Sequence, residues 1–90
     1  MKLSWDEAKR QRTLADRGLD FGKAQQIFDG DHLNAADTRF DYGEMRILTF
    51  GFIENRLCAL VWTRRNDTRR LISLRKANDR EQEEFKTRMG

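Results

Sequence analysis

The sequence predicts a small α+β fold, in which an antiparallel sheet packs against helices on one of its faces. Near the amino terminus, one helical stretch is marked by an N-cap and a terminal glycine and a second by apolar residues at helical spacing, and a third helical stretch closes the chain. Between them, residues 45–76 contain runs rich in β-branched and aromatic residues that are separated by short polar turns. Because the chain has only 90 residues and no proline-rich or glycine-rich linker, we expect one domain over 1–90.

The amino-terminal third is predicted to form a brief strand and then two helices. Residues 2–5 are the strand, and Asp6 is a good N-cap for a helix that runs to about Arg17, with Gly18 after its end. Asp20 can cap the second helix. The apolar residues of that second helix recur at helical spacing and are Phe21, Ala24, Ile27 and Phe28.

The rest of the chain predicts four strands and a last helix. One irregular strand passes through Leu33 and Ala35, and clearer strands cover 45–52, 57–63 and 70–75, with turns at 54–56 and 66–68. Asn78 and Glu81 have the spacing of a capping box, which starts a helix through Phe85. The predicted order is therefore approximately βααββββα.

Positive charge is concentrated around the last predicted strand. Seven of the eighteen Lys and Arg residues lie within 64–80, although the net charge of the whole chain is only +3. They flank Leu71, Ile72 and Leu74, whose bulk indicates a strand that must bury one face. The cations are therefore expected to be held in place. Arginine presents a planar fork of donors to phosphate oxygens, so RNA or DNA is the first partner to consider.

Several function classes are disfavoured by what the chain lacks. Cys58 is the only cysteine and lies in the apolar run LCALVW, which fits a reducing cytoplasm. No apolar stretch reaches the length of a membrane span, and the charged start predicts no signal peptide. His32 is the only histidine, so a mechanism that uses paired histidines is excluded. Ligand clusters and phosphate loops are also missing, and we expect neither a metal nor a cofactor.

Short segments in a fixed order resemble the BrnT family of toxins. They are WDEAK at 5–9, GLDF at 18–21 followed by Ala24 and Phe28, GEMR at 43–46, Gly51, TRR at 63–65 and RLISLRKA at 70–77. The resemblance implies a fold similar to that of RelE. It also implies an endoribonuclease toxin of a type II toxin–antitoxin system, which cleaves RNA, inhibits translation and is neutralised by a BrnA-like antitoxin. Operator DNA is then contacted only through the complex of toxin and antitoxin.

The chain departs from the family pattern at two places. Before the glycine of the first turn, the family usually has Asn, Lys and His, where this chain has Thr13, Asp16 and Arg17. The family also usually has Ala at the position of Leu74. The sequence leaves open whether the altered first turn has lowered the activity.

The candidate catalytic residues are cations that could stabilise a phosphorane. RNA supplies its own nucleophile, the 2′-hydroxyl group, so aligned donors and fixed positive charge are enough for cleavage. The leading candidates are Arg65, Arg75 and Lys76, and we expect the last two to reach one cleft beside the final helix N-terminus. Further RNA contacts are expected from Arg64, Arg69, Arg70 and Arg80.

A general base is not fixed by the sequence. Arginine cannot serve because its pKa stays above about 12. Glu44, Lys76 with a depressed pKa, or no dedicated base remain open. Glu44 and Arg46 would share a face of the strand at 45–52, where an ordinary ion pair is as good an interpretation as catalysis.

Two alternatives to an active nuclease remain. One is a noncatalytic nucleic-acid-binding module that acts within a DNA-bound repressor complex. The other is a degenerate family member that only binds its partner protein. Trp62 and Phe52 could stack on bases, but core packing is the better interpretation for both, because each lies in an apolar run.

Overall fold

The structure is a computed structural model that describes residues 1–39 and 41–90. Over these residues it contains three α-helices and a five-stranded sheet, which confirms the α+β class. No helix in this part of the chain is both long and apolar enough to cross a membrane. In chain order the elements are β1 (Lys2–Ser4), α1 (Glu7–Arg17), a 3₁₀ turn (Phe21–Lys23), α2 (Gln25–Asp29), β2 (His32–Ala36), β3 (Ile47–Ile53), β4 (Arg56–Arg65), β5 (Thr68–Lys76) and α3 (Asp79–Met89).

The two hairpins are tighter than the sequence suggested. Arg56 and Thr68, both predicted to lie in turns, are the first residues of β4 and β5. Glu54 and Asn55 adopt φ angles of 49° and 67°, and Asn66 has a φ of 57°. Such left-handed conformations allow two residues to reverse the chain between twisted strands. The strands can therefore extend up to the turn itself.

The sheet is mostly antiparallel and has the strand order β1-β5-β4-β3-β2. The four strands from β2 to β5 pair in antiparallel fashion with their sequence neighbours, as the predicted meander requires. β1 adds a parallel edge, in which Leu3 lies opposite Arg69. This places the start of the chain beside the basic strand.

β4 is buried on both faces, so the expectation that helices cover only one face is wrong. Cys58, Leu60 and Trp62 belong to the main core, together with residues of the 3₁₀ turn and α2. On the opposite side, Leu57 packs against Phe85 of α3. An uninterrupted apolar run such as LCALVW is typical of a strand that is covered on both sides. We call these two sides of the sheet the α2 face and the α3 face.

Helix α2 lies very close to β3 because Gly51 has no side chain. A Cβ atom built on Gly51 would lie 2.6 Å from the Cγ2 atom of Ile27 and 3.2 Å from its carbonyl oxygen. Ile27 is fully buried in the main core. Glycine at this position therefore fixes how tightly the helix packs on the sheet.

Helix α1 is held by polar contacts rather than by burial. Asp6 caps its first turn and Gly18 ends it with a φ of 69°, as predicted, but none of its residues is buried. Arg10 Nε donates to Asp20 Oδ1 at 2.8 Å, and Arg17 Nη1 donates to the carbonyl oxygen of Leu74 at 2.8 Å. The second bond covers a part of the β5 edge that β1 does not reach.

Candidate functional site

The strand register divides the predicted basic residues between the two faces of the sheet. Directly opposed residues on antiparallel strands share a face, and Thr63 lies opposite Arg70 while Ala59 lies opposite Arg75. The α3 face therefore carries Arg65, Arg70 and Arg75. The α2 face, which contains Cys58, Leu60 and Trp62, carries Arg64, Arg69 and Lys76.

A β-bulge explains why Arg70 and Arg75 share a face. In a regular strand, two residues five positions apart point to opposite sides. In β5, Leu71 and Ser73 lie opposite consecutive residues of β4, so that Ile72 between them is extra. The extra residue shifts the alternation by one position. The bulge thus adds Arg75 to the side that already holds Arg70.

Glu44 links Arg65 to a further arginine, Arg46, at one end of the α3 face. Its Oε1 lies 3.5 Å from Arg65 Nη2, and its Oε2 lies 3.6 Å from Arg46 Nε. The guanidinium of Arg46 also stacks 3.8 Å from the ring centroid of Tyr42. Arg46 Nε is buried, and within residues 1–39 and 41–90 no group accepts a hydrogen bond from it. The ion pair expected as one interpretation of Glu44 is therefore formed, between a carboxylate and two cations.

Arg75 is engaged by a carboxylate as well. Its Nη1 and Nη2 atoms donate to Glu81 Oε1 and Oε2 at 2.7 Å and 2.9 Å. This bidentate pair lowers the pKa of Glu81 and raises the pKa of Arg75. The Arg75 side chain is 40 % exposed, whereas that of Glu81 is 19 % exposed. Arg75 is therefore fixed in orientation and still open to solvent.

Lys76 does not share a cleft with Arg75, contrary to the expectation from the sequence. Lys76 is still within β5 and lies opposite Cys58, whereas Arg75 lies opposite Ala59. Since neighbouring strand residues alternate, the two cations point to opposite faces of the sheet. The strand was expected to end before Lys76 and let the chain turn there, but it continues through that residue.

Arg69, expected to contact RNA, packs against aromatic rings on the α2 face. Its guanidinium lies 3.9 Å from the ring centroid of Phe28 and 5.3 Å from that of Trp62. Burial lowers its pKa, and the charge of Arg64 adds to the shift. These contacts of Arg69 therefore stabilise the α2 face.

The two aromatic residues that were expected to pack in the core differ in burial. Trp62 is buried, as predicted, but Phe52 is 42 % exposed and only meets the ring of Phe85 edge-on at 5.4 Å.

The N-terminus of α3 is closed by its own capping box, as the sequence predicted. Asn78 Oδ1 accepts from Glu81 N at 2.8 Å, and Glu81 Oε1 accepts from Asn78 N at 2.9 Å. These bonds use two of the amide groups at this helix N-terminus, the place beside which the sequence predicted a cleft. Arg80 lies in the first turn of the same helix and is exposed.

The sequence did not single out Asp37 and Arg39, which lie near this site. Arg39 donates from Nε and Nη2 to the two carboxylate oxygens of Asp37 at 2.9 Å and 3.0 Å. These bonds lower the pKa of Asp37, to which the charge of Arg46 also contributes. The positive charge of Arg39 opposes the upward pKa shift of Arg75. The sequence signal for this ion pair was an Asp and an Arg two positions apart. It could not be interpreted, because region 32–42 has no clear periodicity that would place the two side chains on one face.

The altered first turn lies beside β5. A groove of about 200 Å³ separates α1 from that strand and is lined by Lys9, Arg12, Thr13, Asp16, Arg17, Ile72 and Ser73. Arg17, the residue before the glycine of this turn, donates to the Leu74 carbonyl oxygen. The turn is therefore in direct contact with the basic strand.

His32 lies away from the α3 face. Its Nδ1 atom is 2.8 Å from the Gly30 carbonyl oxygen, and its ring meets that of Phe28 edge-on. It lies opposite Gly51, on the α2 face. In the part of the chain that the structure describes, no three His, Cys, Asp or Glu side chains are grouped closely enough to hold a metal ion.

The α3 face therefore brings several guanidinium groups and a carboxylate to one side of the sheet. Such an arrangement suits an anion with several oxygens.

A comparison with curated proteins found no match. A family model described as "Ribonuclease toxin, BrnT, of type II toxin-antitoxin system" matches residues 5–81, which begin just after β1 and end in the first turn of α3. This match covers most of the chain, so the protein belongs to the BrnT family of ribonuclease toxins.

Proposed function

We propose that the protein is an endoribonuclease that cleaves RNA without a metal ion, by attack of the RNA 2′-hydroxyl group on the adjacent phosphate. Its site is the α3 face, with Arg46, Arg65, Arg70 and Arg75 as the cations. Cleavage in the cytoplasm inhibits translation. We expect the fold to be similar to that of RelE and residues 1–90 to act as one toxin domain.

The observation that carries this proposal is the gathering of arginines on one face by the strand register and the β-bulge. A phosphorane bears two negative charges, and donors that are already oriented stabilise it without reorganising during the reaction. The same donors can hold the phosphate so that nucleophile and leaving oxygen are in line. Because Arg64, Arg69 and Lys76 lie on the other face, we leave them out of this site.

Glu44 is the proposed general base. It is the carboxylate that contacts both Arg46 and Arg65, and its side chain is 30 % exposed. A carboxylate between two such cations can accept the 2′-hydroxyl proton while both cations face the phosphate. Lys76, the other candidate from the sequence, lies on the α2 face.

Membership in a type II toxin–antitoxin family implies an antitoxin partner and an RNA substrate. We propose that the antitoxin is BrnA-like, is acidic at its contact surface and covers the α3 face, so that it excludes RNA directly. An interface of this kind typically buries about 1,200–2,000 Å² in total. Operator DNA would be contacted only by the complex.

The test is incubation of the purified protein with RNA in excess EDTA. We expect internal cuts in RNA, and no cut in an oligonucleotide of the same sequence whose nucleotides all lack the 2′-hydroxyl group. Cleavage that stops in EDTA would show that the reaction needs a metal ion. Cleavage of the 2′-deoxy oligonucleotide would show that the nucleophile is not the 2′-hydroxyl group.

One observation favours a second candidate, a noncatalytic module that binds nucleic acid or its partner protein. Arg65 and Arg75 both already contact carboxylates, which compete with phosphate for these cations. A protein of this kind would bind RNA in the same assay and leave it intact. Binding without any cut would favour this alternative.

A further inference from the structure

The contacts of Arg75 leave one edge of its guanidinium group open. The group has five N–H donors in one plane. Nη1 donates to Glu81 Oε1 at 2.7 Å and to the Lys76 carbonyl oxygen at 3.3 Å, while Nη2 donates to Glu81 Oε2 at 2.9 Å. Both N–H bonds of Nη1 and one of Nη2 are therefore used. The remaining donors are Nε–H and the second N–H of Nη2, which form one fork.

No group in residues 1–39 and 41–90 accepts a hydrogen bond from Arg75 Nε. The side chain is 40 % exposed. A fork of two parallel N–H bonds matches two oxygens of a phosphate group. The edge that Glu81 leaves unoccupied is thus the edge that can bind two non-bridging oxygens of a phosphate group.

Glu81 is itself held by the start of α3. Its Oε1 atom accepts from Asn78 N at 2.9 Å while also accepting from Arg75, and its backbone N–H donates to Asn78 Oδ1. The helix is anchored one turn later by Phe85, which is buried against Leu57. The carboxylate therefore has little freedom to move, and neither has the guanidinium that it holds by two bonds.

We propose that Glu81 is a positioning residue for RNA cleavage, which fixes Arg75 so that its Nε/Nη2 fork faces the phosphate. This inference rests on the proposed function of the α3 face. The capping box of α3 then has a second role, because the carboxylate that caps the helix also orients the guanidinium group of Arg75. Glu81 touches no substrate atom.

The experiment compares single-turnover cleavage rates in EDTA for the wild type, Glu81→Gln, Arg75→Ala and the double variant. Glutamine preserves the capping box but cannot accept two hydrogen bonds from Arg75. We expect the cleavage rate to fall about 10- to 10²-fold in Glu81→Gln, because a donor that is no longer aimed loses much of its effect. In Arg75→Ala we expect a fall of about 10²- to 10³-fold, with no further loss in the double variant.

The matched control is Glu83→Gln, which removes the same charge from an exposed position of α3. Its carboxylate pairs only loosely with Lys86, at 3.7 Å. We expect a rate close to that of the wild type. If Glu81→Gln also cuts at the wild-type rate while Arg75→Ala does not, the inference about Glu81 is wrong and the proposed site stands. If Arg75→Ala cuts normally, Arg75 does not belong to the site.

A rate that rises in Glu81→Gln would also overturn the inference, because Glu81 would then compete with RNA for Arg75. A second measurement does not depend on how the variants fold. It follows the Nε–H resonance of Arg75 in the wild-type protein by NMR during titration with a 2′-deoxy oligonucleotide that cannot be cut. We expect this resonance to shift on binding. No shift of the Nε–H signal at saturation would contradict the proposed fork.

Discussion

At the scale of single residues, adjacent arginines of the same strand do different things. Arg70 lies opposite Thr63 on the α3 face, whereas Arg69 stacks on Phe28 and Trp62 on the α2 face. In the sequence the two residues cannot be told apart, because they are adjacent arginines of the same basic segment. Their side chains are distinguished only by the parity of the strand.

We predict that Arg69→Ala lowers stability and hardly affects RNA affinity. The variant loses two contacts with aromatic rings and the packing of the aliphatic stem, which together are worth about 1–2 kcal/mol. Urea denaturation measures the loss of unfolding free energy, and an RNA titration measures the affinity. Arg64→Ala is the control on the same face, and as an exposed residue it should change stability by less than about 0.5 kcal/mol. A weaker RNA affinity with unchanged stability would place Arg69 at the RNA.

At the scale of elements, α3 connects the fold to the site. Glu81 has a lower pKa in the folded chain than its ordinary value of 4.5, chiefly because of the hydrogen bonds from Arg75. Its contribution to stability is therefore fully present above that ordinary value. It is lost as the pH falls through the lower pKa of the folded state.

We therefore predict that Glu81→Gln is less stable than the wild type at neutral pH, and that the difference disappears in acid. Glutamine imitates the protonated carboxyl group, so both proteins lack the ion pair once the pH is well below the folded-state pKa. Thermal melts of both proteins at neutral pH and at a series of decreasing acidic pH values show how the difference changes. A stability difference that persists unchanged in acid would mean that the pair with Arg75 contributes nothing.

The elements themselves were largely predictable, because their signals are local. Asp6 with Gly18 and the Asn78–Glu81 box each mark a helix end, and the run LCALVW marks a buried strand. The bulge at Ile72 was not predictable, because it depends on how two strands pair rather than on one strand's residues.

The basic surface of the candidate site could be predicted from the sequence, but the way in which the sheet divides the basic residues between its two faces could not. Composition identified a basic strand, and Arg65, Arg75, Glu44 and Arg46 do lie on or beside one face. The expectation that Lys76 shares a cleft with Arg75 is wrong, because the strand continues through Lys76 and the two residues point to opposite faces. The contact between Arg75 and Glu81 joins a strand to a helix, and no periodicity within either element could indicate it.

At the scale of the whole molecule, the basic surface should make RNA binding depend strongly on salt. Each phosphate contact releases condensed counterions, so that Arg70→Ala should reduce the slope of log K against log salt by about 0.7 on single-stranded RNA. Titrations of an uncleavable 2′-deoxy oligonucleotide at several salt concentrations measure that slope. An affinity that does not change with salt would rule out a phosphate-binding surface.

The central claim is that RNA is cut on the α3 face and not by positive charge in general. Arg64 and Arg65 test it directly, because they are consecutive arginines of β4 that point to opposite faces. The measurement is the cleavage rate of RNA in EDTA by Arg64→Ala and by Arg65→Ala, each with a thermal melt. We predict a loss of about 10²- to 10³-fold for Arg65→Ala and a nearly unchanged rate for Arg64→Ala, with both variants folded. Equal losses in the two variants, or a normal rate in Arg65→Ala, would contradict the account.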